Sequence, residues 1–145
     1  MIRAAILSDL PQITFVRTNV IENHLSVEDL ARYGVTEESI ASNMTAGFLG
    51  AWVAEQNNKI VAFAMADKRD GNIFALFTLP GYENRGLGTG LLSLCENWLR
   101  ANGMKQANLD TARETTARTF YLNRGWKEIS AKPGDPTSVI MLKEL

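Results

Sequence analysis

Ala75-Leu76-Phe77-Thr78-Leu79-Pro80, then Gly81-Tyr82-Glu83-Asn84-Arg85-Gly86-Leu87-Gly88-Thr89-Gly90, then the apolar-striped run from Leu91 to Asn102, decide the fold of this chain. The pattern is strand, loop, helix. Glycines at 86, 88 and 90 remove side chains that would hold a phosphate off the backbone N–H groups, and the helix beginning there aims its unpaired donors and positive dipole end at the same place. The stretch therefore predicts an anion cradle for a phosphorylated ligand. A dinucleotide loop started at Gly86 would need glycine at 91, where Leu91 stands, and a Walker-type loop would need a Gly-Lys-Ser/Thr ending that is absent. An ordinary tight turn is the bland alternative; three glycines in five residues between a buried strand and a helix argue against it.

On the N-terminal side, Ile2 to Leu7 reads as a short strand. Ser8 or Asp9 can cap a helix whose apolar positions Leu10, Ile13, Val16 and Val20 keep helical spacing to near Asn23. Two shorter helical pieces follow, one opened by Ser26 with Asp29 three residues on, one opened by Thr36 and carrying Ile40 and Met44. From Gly50 the period changes. Trp52-Val53-Ala54 and Ile60 to Ala66 flank Asn57-Asn58, a pair suited to the positive φ angles of a two-residue hairpin turn. Asp70-Gly71 makes the next turn, and Ile73 to Leu79 the third strand of a meander whose central strands are apolar on both faces.

The helix from Gly86 repeats Leu87, Leu91, Leu94/Cys95 and Trp98 as a core stripe and stops at Asn102-Gly103. Gln106 to Asp110 is a strand, Thr115 to Arg124 a helix ended by Gly125, and Trp126 to Ser130 with Ser138 to Leu142 a closing hairpin around Gly134-Asp135. The order β-α-α-β-β-β-α-β-α-β-β predicts an α/β (α+β) fold, with a mixed, mostly antiparallel central sheet flanked by helices.

A chain of 145 residues, 46% hydrophobic and 21% charged, suits one globular domain over residues 1–145 without disulfide or metal support. A formal net charge of −1 supplies no general field for polyanions, so a phosphate must be held by local geometry, and nucleic-acid binding is not expected. One cysteine and one histidine fall short of a zinc or iron–sulfur ligand set, and no metal is expected. The longest fully apolar run, Ile60 to Ala66, is too short to span a bilayer, and no signal peptide opens the chain; the expectation is a soluble, cytoplasmic protein that does not bind membranes.

These residues resemble the GNAT superfamily of acyl-CoA-dependent N-acetyltransferases. Its strand-loop-helix motif, Q/R-x-x-G-x-G/A after an L-P-x-Y approach, is matched by Leu79-Pro80-Gly81-Tyr82-Glu83-Asn84-Arg85-Gly86-Leu87-Gly88. Its second motif, A-x-x-F-Y-x-x-x-G-F/W, is matched by Ala117-Arg118-Thr119-Phe120-Tyr121-Leu122-Asn123-Arg124-Gly125-Trp126. The two occur in the right order and at a fitting distance, and a bacterial subset with a T-x-x-x-T-x-A-x-x-F-Y pattern is similar at Thr111, Thr115 and Ala117. Two positions depart from the pattern: Glu83 stands where the family has Gln or Arg, and Glu114 aligns with an asparagine used near the pantetheine.

The resemblance implies that the co-substrate is acetyl-CoA and the acceptor a primary amine, on a small molecule or a peptide. The main chain of Asn84, Arg85, Gly86, Leu87, Gly88 and Thr89 would hold the diphosphate. Leu76, Phe77 and Thr78 would pair with the pantetheine arm, a main-chain N–H near Phe77 or Thr78 would polarise the thioester, and Tyr121 would protonate the departing thiolate. Asp110, at the end of its strand, is the candidate general base, with Glu22 behind it; a water relay would serve equally. Arg85 and Arg118 are candidates for phosphate contact or for a solvated face. Glu22, Glu28, Asp29, Glu37 and Glu38 fall where the family recognises its acceptor and would suit a cationic amine, as solvated helix faces would too. Cys95 reads as core and His24 as an exposed bystander. The resemblance also admits a homodimer. The alternatives are a non-catalytic acyl-CoA-binding or sensing domain and an interaction module that uses the fold alone.

Overall fold

In the computed structural model of the protein, which describes residues 1–21 and 24–145, every residue from Ile60 to Ala66 is buried. A strand of that composition needs cover on both faces. It is β3 (Lys59–Asp67), inside a seven-stranded sheet with β1 (Ile2–Ala4), β2 (Leu49–Gln56), β4 (Asn72–Thr78), β5 (Gln106–Ala112), β6 (Lys127–Lys132) and β7 (Asp135–Glu144). The spatial order is β1-β2-β3-β4-β5-β7-β6, and every neighbouring pair is antiparallel except β4 with β5. Asn57 and Asn58, at φ 54° and 63°, make the β2–β3 turn in the left-handed conformation that matches strand twist.

The helices are α1 (Leu10–Arg17), α2 (Val27–Arg32), α3 (Glu37–Thr45), α4 (Leu87–Ala101) and α5 (Thr116–Leu122). Side chains of β3 alternate between two covers. Phe63 and Met65 face α1, sharing a cavity wall with Leu10 and Ile13. Ala66 faces α4: its cross-strand partner Gly50 lies under the Trp98 ring, within 2.8 Å of where a Cβ would stand. On α4 the buried stripe is Leu87, Leu91, Leu92, Cys95 and Leu99, each full leucine burial contributing about 1.5–3 kcal/mol. Trp98, expected in that stripe, is half-buried at its edge against Trp52, ring centroids 5.8 Å apart. No helix among the described residues is long and apolar enough to cross a membrane.

The N-terminal third departs from the expected boundaries for local reasons. The first strand stops at Ala4, and Leu7–Asp9 forms a 3-10 turn because Asp9 points inward, taking Arg3 at 2.8 and 2.9 Å and the Ile6 N–H at 2.8 Å. Helix α1 ends at Arg17, where the Thr18 hydroxyl donates to Thr14 O (2.9 Å) and the Asn19 amide to Phe15 O (2.7 Å), both competing with helix continuation. Asn23, the expected end, lies outside the described residues. The two short pieces are separate helices, so the order carries one helix more than expected. Each opens with a reciprocal cap, Ser26 with Asp29 at 3.1 Å both ways and Thr36 with Ser39 at 3.0 Å both ways.

Candidate active site

β4 and β5 run parallel but pair only at Asn72↔Asn108; beyond that point they part. Two asparagines hold the root of the fork. Asn72 Nδ2 donates to Asn108 Oδ1 (2.9 Å), Asn108 Nδ2 to Asp70 O (2.8 Å) and the Asn108 N–H to Gly71 O (2.9 Å). On its other edge β4 stays in its ladder with β3, where the Leu79 N–H donates to Val61 O at 2.8 Å. Antiparallel alternation then puts the main-chain groups of Phe77 and Ala75 on that same edge. The N–H and C=O of Leu76 and Thr78 therefore face the fork. Phe77, expected alongside them, turns its main chain to β3, while its ring packs on Phe63 (5.8 Å) beneath the Arg17 guanidinium (4.2 Å).

The fork opens into a cleft of about 970 Å³ that runs from β4 past the loop at 80–86 to the first turn of α4, with α5 as its far wall. Leu76, Phe77, Thr78, Asn84, Gly86, Leu87, Gly88, Thr89, Asp110 and Tyr121 all line it. Arg85, in the same loop, is not one of the lining residues: its side chain donates to Gln56 Oε1 (2.7 Å) and Gly81 O (3.3 Å) and lies over the Tyr82 ring. Glu83 folds onto its own loop, accepting from the Tyr82 N–H at 3.0 Å.

The three glycines have three different reasons. Gly86 sits at φ 79° as the N-cap of α4, and a Cβ there would meet nothing within 4 Å. A Cβ on Gly88 would stand 3.4 Å from the Phe120 ring, so this position lets α5 approach. Gly90 is a correction to the expected cradle: a Cβ would stand 2.7 Å from Ile2 Cδ1, so its smallness serves packing on β1, and it does not line the cleft.

Tyr121 is buried between the rings of Phe120 (5.3 Å) and Trp126 (5.7 Å), both edge-on. That burial, with Cys95 beside it, pushes the phenol above its ordinary value of 10.0, so it holds its proton at neutral pH. Cys95 is fully buried on α4 and its thiol is pushed up by the same desolvation, which suits a core residue. Asp110 is ion-paired with Lys132 Nζ at 2.9 Å, and that hydrogen bond raises the Lys132 ammonium above its usual range. Glu22, the second candidate base, lies outside the described residues. Arg118 is committed to Glu128 at 2.6 Å, and the His24 Nδ1 to Val20 O at 3.2 Å; neither is a cleft-lining residue.

Arg124 was not singled out from the sequence, although it lines the cleft beside the first turn of α4. Its Nε and Nη2 donate to Thr89 Oγ1 (3.0 and 2.8 Å), its Nη1 to Phe120 O (2.9 Å), and its guanidinium lies 3.7 Å from the Phe120 ring centroid. The available signal was a cation four residues after an aromatic on a helix that ends at the next glycine.

Between the sheet and helices α1 to α3 lies a second cavity of about 650 Å³ that shares Phe74 and Ala75 with the cleft. Phe74 is the extra residue of a β-bulge, since the β3 partners step from Met65↔Ala75 to Ala66↔Ile73. Of the acidic group expected near the acceptor, Glu37 and Glu38 border this cavity; Asp29 is spent on capping α2 and on Arg32. Among the described residues no group of His, Cys, Asp and Glu could hold a metal ion.

A mostly antiparallel sheet, forked at its one parallel pair and closed at the mouth by a glycine-opened helix, defines an acetyltransferase fold. Residues 49–128 match the family model of the acetyltransferase (GNAT) domain, and the chain belongs to that family. Among solved structures it is similar to the PaiA N-acetyltransferase of Thermoplasma acidophilum in complex with coenzyme A, at TM-score 0.81 and 18% identity over 100% of this chain and 98% of that one. A GNAT acetyltransferase of Staphylococcus aureus Mu50 gives TM-score 0.80 at 19% identity, over 100% and 98%. The ribosomal-protein-S18-alanine N-acetyltransferase of Escherichia coli gives 0.75 at 21%, over 99% and 92%. At these identities the likeness is one of fold. A sequence search of curated proteins finds no match.

Proposed function

We propose that residues 1–145 form one catalytic domain that passes an acetyl group from acetyl-CoA directly to a primary amine, with no covalent intermediate on the enzyme. The observation that supports it most is the fork, where the main-chain groups of Leu76 and Thr78 face away from β3 in a gap that leads to the first turn of α4. The pantetheine arm would add to β4 as an edge strand, and the N–H groups of Asn84 to Thr89 would take the diphosphate. The Thr78 or Leu76 N–H would polarise the thioester carbonyl, a preorganised donor worth about 2.7–4 kcal/mol in the transition state.

Tyr121 would supply the proton to the departing thiolate. In water a phenol is the weaker acid of the two; burial keeps the proton on Tyr121, and a thiolate leaving into equally desolvated surroundings would have its own proton affinity raised, as the Cys95 thiol has. Asp110, or a water, would take the proton from the amine. Asp110 would first have to exchange Lys132 for the incoming ammonium. That ion pair is also what favours a second reading, a domain that binds acyl-CoA without turning it over.

Titration calorimetry with acetyl-CoA, together with thiol release over a panel of amines, tests both. Binding with amine-dependent thiol release is the expected result. Binding with no release from any amine would leave the non-catalytic reading, and no binding of any CoA species would overturn both.

A further inference from the structure

The cavity between the sheet and helices α1 to α3 has an uncharged floor: Leu10, Ile13 and Met65 are each at most 5% exposed. Its rim gathers apolar groups that solvent reaches, Val27, Tyr33, Val35 and Phe74, exposed by 54%, 76%, 37% and 38%. Single exposed apolar residues need no explanation, but four around one opening make a patch. A space of about 650 Å³ is of the size that accepts a compact organic ligand.

Among the described residues the charged lining is balanced, Arg17 and Lys132 against Glu37 and Glu38. Most of it is already engaged: Arg17 lies over the Phe77 ring at 4.2 Å, Glu37 accepts from the Thr14 hydroxyl at 2.9 Å, and Lys132 holds Asp110. Such a rim offers a polycation no surplus of negative charge, and a second ammonium pushed toward Leu10 and Ile13 would be buried without a partner. A single amine on an apolar body has no such difficulty. Its body displaces water from the floor, and its nitrogen can lie at Phe74 and Ala75, the wall shared with the cleft.

We propose that this cavity is the acceptor pocket and that the acceptor is a primary amine carried on a compact apolar group, aliphatic or aromatic. The inference rests on the acetyltransferase reading above. It excludes polyamines and aminoglycoside-like polycations as preferred acceptors.

The test measures kcat/KM by thiol release for phenethylamine, hexylamine, spermidine and a short peptide beginning with Phe. The apolar monoamines exceed spermidine by about tenfold or more, the discrimination a single pocket can deliver. Val35→Asn and the more exposed Val27→Gln each raise KM for phenethylamine about fivefold while the acetyl-CoA Kd stays put. A Phe-initiated peptide that outperforms phenethylamine supports the same chemistry and assigns its source to a protein N-terminus. A preference for spermidine, or an unmoved phenethylamine KM in both variants, overturns the pocket inference and leaves the acetyltransferase reading standing. No thiol release from any amine overturns that reading, and the inference with it.

Discussion

Glu96 on α4 and Trp126 at the foot of the closing hairpin are joined by a buried hydrogen bond, the indole Nε1 donating to Oε2 at 3.1 Å. Lys143 Nζ donates to the other carboxylate oxygen at 2.8 Å and to Arg124 O at 2.9 Å. A carboxylate this buried persists only with such partners. The Trp126 ring in turn stands edge-on to Tyr121 at 5.7 Å. The seat of the candidate acid is thus set by a charge on a different helix, through one aromatic ring.

Glu96→Ala leaves the indole N–H without its acceptor and the Lys143 ammonium with Arg124 O alone, and the loss of folding stability is about 1–3 kcal/mol. Glu96→Gln keeps an acceptor for Trp126 and loses less. Urea unfolding of the two variants measures the difference; equal midpoints for Glu96→Ala and the parent protein would refute the network's role.

With Tyr121 in its proposed role of general acid, Tyr121→Phe lowers kcat by about 10² to 10⁴ with little change in acetyl-CoA Kd, because such an acid acts on the leaving group and not on the bound ground state. A burial-raised phenol also has a consequence for pH. Tyr121 and Cys95 both fold as neutral acids with pKa values above their ordinary 10.0 and 9.0. Their contribution to stability is therefore whole below pH 9 and declines as pH rises further, since the unfolded chain releases these protons first. Cys95→Ala removes the earlier onset. Unfolding midpoints across pH 8 to 11 check the sign.

What the sequence disclosed follows from how local each cause is. The Asn57-Asn58 hairpin, the caps at Ser26 and Thr36 and the stop at Gly103 depend on neighbours a few residues away, and the structure has all of them. The α1 end was misplaced because apolar spacing continues to Val20, whereas the helix is closed by the side chains of Thr18 and Asn19. At the candidate site the loop and Tyr121 were legible from motif spacing. The edge-by-edge direction of Leu76, Phe77 and Thr78 was not, because it depends on register with β3 and on a bulge at Phe74. Arg124 was hidden for the same reason: its meaning lies in Thr89, 35 residues away.

Gly86 and Gly90 respond differently to the same small change. Gly86→Ala forces a side chain into φ 79°, a conformational penalty of about 1–2 kcal/mol at the point where α4 presents its first N–H groups, so both stability and acetyl-CoA affinity fall. Gly90→Ala meets only Ile2 Cδ1, the movable end of a side chain, and gains about 1 kcal/mol of helix propensity in return, so stability changes little and acetyl-CoA affinity is unmoved. Calorimetry on the pair separates the two; a CoA affinity that falls equally in both would put Gly90 back in the cradle.

Arg124 places a positive charge where the diphosphate is proposed to sit, held there by the Phe120 ring face and by Thr89 Oγ1. Arg124→Gln weakens acetyl-CoA binding about tenfold, equivalent to about 1.4 kcal/mol, and flattens the dependence of Kd on salt. Arg124→Lys restores only part of the loss, because an ammonium cannot both lie flat on the ring and fork toward an oxygen. Dephospho-CoA then locates the contact. If the guanidinium grips the diphosphate, wild type and Arg124→Gln differ as much for dephospho-CoA as for CoA; if the difference disappears, the contact is to the 3′-phosphate, and the first turn of α4 holds the diphosphate through its main chain alone.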